Sequence, residues 1–118
     1  MTRAIISMII GISAIGHALA QPSIITLMKT GNDLYRECLS PTGQDTCLAY
    51  VEGVADAMGN RDAVFGKRAC LPKGITGKDL TDTVMLLLGQ GSQSSRDTAA
   101  AAWVAGALAR SYPCDNAQ

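Results

Sequence analysis

Cys38, Cys47, Cys70 and Cys114 are the side chains of this sequence best equipped for chemistry, and three uses are open to them: nucleophilic attack, metal ligation and disulfide formation. A cysteine nucleophile needs a free thiol and a neighbouring base, most often histidine. The one histidine, His17, lies in an N-terminal apolar run that reads as a removable export signal, so the mature chain has no imidazole. Zinc held by four thiolates normally shows two close cysteine pairs, and the sequence has none. An even set of cysteines in a short exported chain reads instead as a disulfide framework.

The remaining candidates are weaker. No serine sits in a Gly-x-Ser-x-Gly elbow. Glu52 with Asp56, and Asp79 with Asp82, share helix faces, but both pairs fall off the apolar stripes and read as solvated surface. The expectation is a protein without catalytic, metal-binding or cofactor-binding residues, one that acts by binding. Without a basic block in the mature chain, nucleic acid is not an expected partner.

Export is read from the first twenty residues. Arg3 precedes the uncharged run Ala4 to Gly16, which is too short to span a bilayer comfortably, and Ala18-Leu19-Ala20 supplies the small residues that a signal peptidase reads. Residues 1–20 are thus expected to be a signal peptide cleaved after Ala20, leaving residues 21–118 as one periplasmic domain without a membrane segment. At that size a single core is marginal and covalent staples help.

The elements that must position these groups are helical. Thr30 or Asn32 can cap a short helix through Leu34, Tyr35 and Cys38, and Ser40-Pro41-Thr42-Gly43 is a turn. From Asp45 to Met58, the residues Cys47, Val51, Val54, Ala55 and Met58 form one helical stripe, and Gly59-Asn60 is expected to end it in the left-handed conformation. Arg61 to Lys73 reads as an irregular connector. Thr76-Gly77-Lys78-Asp79 is a capping box, with Asp in place of the longer Glu or Gln, opening a helix with Leu80, Val84, Leu87 and Leu88 inward. Ser94-Ser95-Arg96-Asp97 repeats that pattern and is expected to open a last helix through Ala99, Trp103, Gly106, Ala107 and Arg110, stopped by Pro113. Its small residues admit a close neighbour, and Trp103 reads as the one large core filler.

The predicted fold is therefore all-α, a small four-helix-type domain stapled by two disulfides. Four cysteines allow three pairings, and sequence alone does not choose among them. Antiparallel packing of chain neighbours favours one: it brings the end of the first helix to the start of the second, Cys38 to Cys47, and the start of the third to the end of the fourth, Cys70 to Cys114.

A binding surface should lie on segments that the core does not need. In the connector, Phe65 is flanked by Arg61, Asp62 and Lys67, an aromatic anchor in a charged rim of the kind that forms hot spots. The loop after the third helix, with Gln90 and Gln93, is the second candidate.

Thr30-Gly31-Asn32-Asp33-Leu34 with Cys38, and the run Cys47-Leu48-Ala49-Tyr50-Val51-Glu52-Gly53-Val54-Ala55-Asp56-Ala57, resemble the N-terminal half of the Rap/Tai family of type VI secretion immunity proteins. Cys70-Leu71-Pro72-Lys73-Gly74-Ile75-Thr76, Ala107-Leu108 and Tyr112-Pro113-Cys114 resemble its second half, in order. The resemblance implies a mostly helical periplasmic protein that protects its producer by binding a peptidoglycan amidase toxin, in some members as a homodimer. Tyr50, Glu52 and Asp56 belong to the resembled motif, and Tyr50 and Asp56 are read as structural. Two rival functions share the exported, helical, disulfide-bonded character: a small acid-stress chaperone of the periplasm, and an envelope protein without a toxin partner.

Overall fold

Thr30 starts the first helix by a reciprocal cap. Its hydroxyl accepts from the Asp33 amide at 3.2 Å, while the Asp33 carboxylate accepts from the Thr30 amide at 3.0 Å. Thr76 and Asp79 repeat the pair at 3.1 Å in both directions, so the shorter Asp also closes a capping box. The computed structural model describes residues 29–115, together with Gly16, and within them the helices are α1 (Gly31–Leu39), α2 (Gln44–Met58), α3 (Gly77–Gln90) and α4 (Ala100–Ser111). The expected signal peptide, apart from Gly16, and the segment from Gln21 to Met28 lie outside the described residues.

The domain is all-helical, and its core collects one stripe from each helix. Leu34 of α1, Val51 and Met58 of α2, Leu88 of α3, and Val104 and Leu108 of α4 are wholly buried. Each such side chain stabilises the fold by about 1.5–3 kcal/mol relative to leaving it in water. The stripes expected on α2 and α3 are the ones that face inward, with Val54 and Leu87 at their half-buried edges.

Three expectations need correction. The helix after Asp97 does not open at Ser94: α4 begins at Ala100, behind Ala99, with no side-chain cap. Residues 96–100 are occupied elsewhere, because Gly31 N donates to Thr98 O at 2.8 Å, Asn32 N to Arg96 O at 3.0 Å and Ala100 N to Lys29 O at 2.7 Å. This short pairing gives the first N–H groups of α1 and α4 backbone partners, the task a capping side chain would otherwise perform. Ser92 and Ser95 instead close a turn on each other, Ser95 N donating to Ser92 Oγ at 3.1 Å.

The inner face of α4 is also turned from the expected one. Ala100, Val104, Ala105, Ala107 and Leu108 are buried, whereas Trp103 is half-buried at the rim. An indole needs a partner for its N–H when covered. At the rim Trp103 Nε1 donates to Thr98 Oγ1 at 3.0 Å. Its ring lies over Gly31 and Gly91, where an added Cβ would come within 2.8 and 2.6 Å of it.

Third, α2 ends without a left-handed Gly59. That residue keeps helical φ (−61°), and the reversal comes two residues later at Arg61, φ 65°.

The disulfides join Cys38 to Cys47 and Cys70 to Cys114, across the antiparallel neighbours α1/α2 and α3/α4. The middle pair is different. Gly77, at the start of α3, is packed against Leu48 and Glu52, so α3 begins beside the middle of α2 and not beside its last turn. Residues 59–76 carry the chain from the end of α2 back to that point.

Candidate functional site

The returning connector is pinned at its far end. Ala69 is buried, Cys70 N donates to Tyr112 O at 2.8 Å, and the Cys70–Cys114 disulfide lies at the same point. Between Arg61 and that anchor the connector is irregular, as expected, except for one two-residue hairpin. Val64 N donates to Lys67 O at 3.0 Å and Lys67 N to Val64 O at 2.9 Å, and the two bridging residues, Phe65 and Gly66, have φ of 49° and 71°. Positive φ at both central positions is the signature of a type I′ turn, whose twist matches the flanking strands.

Glycine adopts that geometry freely; phenylalanine does not. A bulky L-residue with positive φ is a real outlier, and holding it there costs on the order of 1–3 kcal/mol. Phe65 is nevertheless 59 % exposed. The surrounding core gains little from a side chain so placed, so the strain is offset by no evident packing inside the domain.

The structure brings part of the expected binding set together here. Arg61, Asp62, Phe65 and Lys67 are all exposed on this one connector. Arg68, which no sequence motif singles out, belongs with them: its guanidinium donates to the Arg61 carbonyl at 3.0 Å and fastens the base of the hairpin. An Asn-Gly or Asp-Gly pair would have signalled the turn in the sequence; Phe-Gly does not.

Gln90 and Gln93 are placed elsewhere, at the C-terminal end of α3. Gln90 lines an open groove of about 320 Å³ between α3 and α4 with Thr83, Leu86 and Arg110. Gln93 holds the loop to α1, its carbonyl accepting from Asn32 Nδ2 at 2.8 Å. Neither is on the hairpin's connector.

Of the two residues of the resembled α2 motif read as structural, Tyr50 packs against the core, whereas the Asp56 side chain is exposed. Tyr50 is half-buried under the Lys29 ammonium, 5.2 Å from the ring centre; burial pushes its phenol above the ordinary range, and the Lys29 charge acts the other way. Lys29 also ion-pairs with Glu37. Asp56 is exposed, and its main-chain carbonyl accepts from Gly59 N at 3.1 Å. Of the carboxylate pairs, Asp79 is used by the α3 cap, and Asp82 pairs with Lys78 on the exposed face.

Among the described residues no cluster of His, Cys, Asp and Glu could hold a metal ion, and no helix is long and apolar enough to cross a membrane. The surface presents Phe65, an exposed aromatic on a two-residue turn, with Lys67 and Arg68 beside it in the chain.

No curated protein sequence matches the chain. The family model for Rap1a immunity proteins matches residues 30–114, from the cap of α1 to the last cysteine, which is most of the chain and all four helices. By that match the chain belongs to the family of Rap1a immunity proteins.

Proposed function

We propose that this protein is a periplasmic immunity protein that binds a peptidoglycan amidase delivered by type VI secretion and blocks it sterically. The observation that carries the reading is the family match over residues 30–114: an immunity protein acts on a protein toxin, as an inhibitor rather than an enzyme. Two features support the compartment. Both disulfides are of the kind that persists in oxidising surroundings. The N-terminal run ending in Ala18-Leu19-Ala20 reads as an export signal. An amidase as target is the part of the reading that rests on the Rap/Tai resemblance alone.

Inhibition in this reading needs no cofactor. An exposed anchor on a rigid domain fills or covers the cleft of the enzyme, and substrate is kept out by volume. The test is affinity capture, with the oxidised protein as bait against the secreted and periplasmic proteins of its own bacterium. Stoichiometric capture of one amidase that loses activity on binding is the expected result. Capture of many unrelated, partly unfolded proteins would replace the immunity reading with a chaperone.

A further inference from the structure

The charges of the domain are unevenly divided. The connector from Arg61 to Lys73 carries Arg61, Lys67, Arg68 and Lys73 against one carboxylate, Asp62. The rest of residues 29–115 has five basic side chains (Lys29, Arg36, Lys78, Arg96 and Arg110) against nine carboxylates. A net-positive strap with an apolar tip is thus set on a net-negative body.

We propose that the Val64–Lys67 hairpin is a preformed recognition tip, and that it seats Phe65 in an apolar cavity of a protein partner whose rim carries carboxylates. The proposal rests on the reading that this chain binds a protein toxin, and it names the chemistry of the surface that toxin must offer. Three observations meet at this point. Phe65 is exposed at the apex of a turn closed by two backbone hydrogen bonds, so its direction is fixed before binding and little conformational freedom is lost on contact. The strain at φ 49° has no return within the domain, and such strain gathers at functional positions. Arg61, Lys67 and Arg68 lie beside the tip on the same strap, while Lys73 sits past the Cys70 anchor near Asp79 and Asp82, so an acidic rim would be drawn to the tip from a distance and held in register on arrival.

A membrane is the other surface that attracts an aromatic among cations. It fits less well, since one phenylalanine and a few basic groups give only marginal attachment to anionic lipid. A tight turn that holds a single ring matches a shaped cavity better than a fluid interface.

The test uses the full oxidised protein and three variants: Phe65→Ala, the charge reversal Lys67→Glu, and Leu39→Ala, an exposed apolar residue on α1. The first probe is the toxin that the wild-type protein captures from its own bacterium; the second is vesicles of phosphatidylethanolamine with phosphatidylglycerol. Melting temperatures establish that each variant is folded.

The expected result is that Phe65→Ala weakens toxin binding by about 30-fold or more. The charge reversal should slow association by about 10-fold or more at low salt and remove most of its salt dependence, while Leu39→Ala changes neither. Folded Phe65→Ala protein that binds as tightly as wild type overturns the tip and leaves the immunity reading standing. A captured protein that is no amidase, but is lost with Phe65 and with the Lys67 charge, keeps the tip and removes the amidase. Binding to vesicles without capture of any protein overturns the tip in favour of a lipid surface, and binding to neither probe overturns both readings.

Discussion

The Cys70 amide donates to the Tyr112 carbonyl at 2.8 Å, two residues before the cysteine to which Cys70 is also bonded covalently. The end of the connector is thereby fastened twice to the end of α4. The two disulfides close loops of different size, with sequence separations of 44 for Cys70–Cys114 and 9 for Cys38–Cys47. Loop-closure entropy then gives about 4 kcal/mol for the long loop and about 2.6 kcal/mol for the short one. Replacing Cys70 and Cys114 together by alanine should therefore lower stability more than replacing Cys38 and Cys47. Denaturant unfolding of the two double variants tests this ordering, and a larger loss from the short loop would show native-state packing outweighing chain entropy.

Arg96 joins three elements. Its guanidinium donates to Leu88 O at 2.8 Å and to Gly91 O, its Nε donates to Asn32 Oδ1 at 3.1 Å, and it lies 4.4 Å from the centre of the Tyr35 ring. A cation at the last carbonyls of α3 also complements the helix dipole. Arg96→Ala should cost about 2 kcal/mol, and Arg96→Lys should recover little of it, because an ammonium cannot reproduce the planar fork. Thermal unfolding of both variants is the measurement; full recovery with lysine would reduce the interaction to its charge.

Acid should loosen the helix starts. The Asp33 carboxyl is held below its ordinary range by the Thr30 amide and hydroxyl and then by Arg36, and the Asp79 carboxyl by the Thr76 hydroxyl and amide. A lowered folded-state pKa means that the unfolded chain takes up the proton first. The stabilisation is complete above the unfolded carboxylate pKa, near about 4, and is lost as pH falls through the lower folded value. Melting temperature should drop on acidification below about pH 4, and less so in the Asp33→Asn, Asp79→Asn double variant. An equally steep drop in that variant would move the acid sensitivity to other carboxylates.

Relief of the strained turn should stabilise the domain. Phe65→Gly removes a side chain that is 59 % exposed and held at φ 49°, so little packing is lost. The left-handed penalty of about 1–2 kcal/mol exceeds the about 0.5–1 kcal/mol of extra backbone entropy that glycine gives up on folding. A net gain of about 0.5–1 kcal/mol in chemical denaturation is expected, together with loss of toxin binding. A destabilised Phe65→Gly protein would mean that the ring packs on the domain in solution.

What the sequence by itself determined is local and periodic. Thr30 with Asp33, and Thr76 with Asp79, begin helices because the two side chains and amides involved lie within one turn, and nothing distant is needed to complete them. The stripes Cys47–Val51–Ala55–Met58 and Leu80–Val84–Leu88 are buried because helical spacing alone places them on one face. What only the tertiary structure decided concerns residues whose partners are far away in the chain. Ser94 to Asp97 has the pattern of a helix start, yet backbone pairing with residues 29–32 takes up this stretch and delays α4 to Ala100. Trp103 reads as a core residue but settles at the rim, where Thr98 receives its N–H and two glycines of other segments make room for the ring. The Val64–Lys67 hairpin was the least legible feature. Gly66 suits the turn but Phe65 does not, and the reversal is set by the ladder between Val64 and Lys67 and by the anchors at Arg68 and Cys70. A left-handed phenylalanine is stable only where its surroundings over-determine it, and those surroundings exist only once the chain has folded.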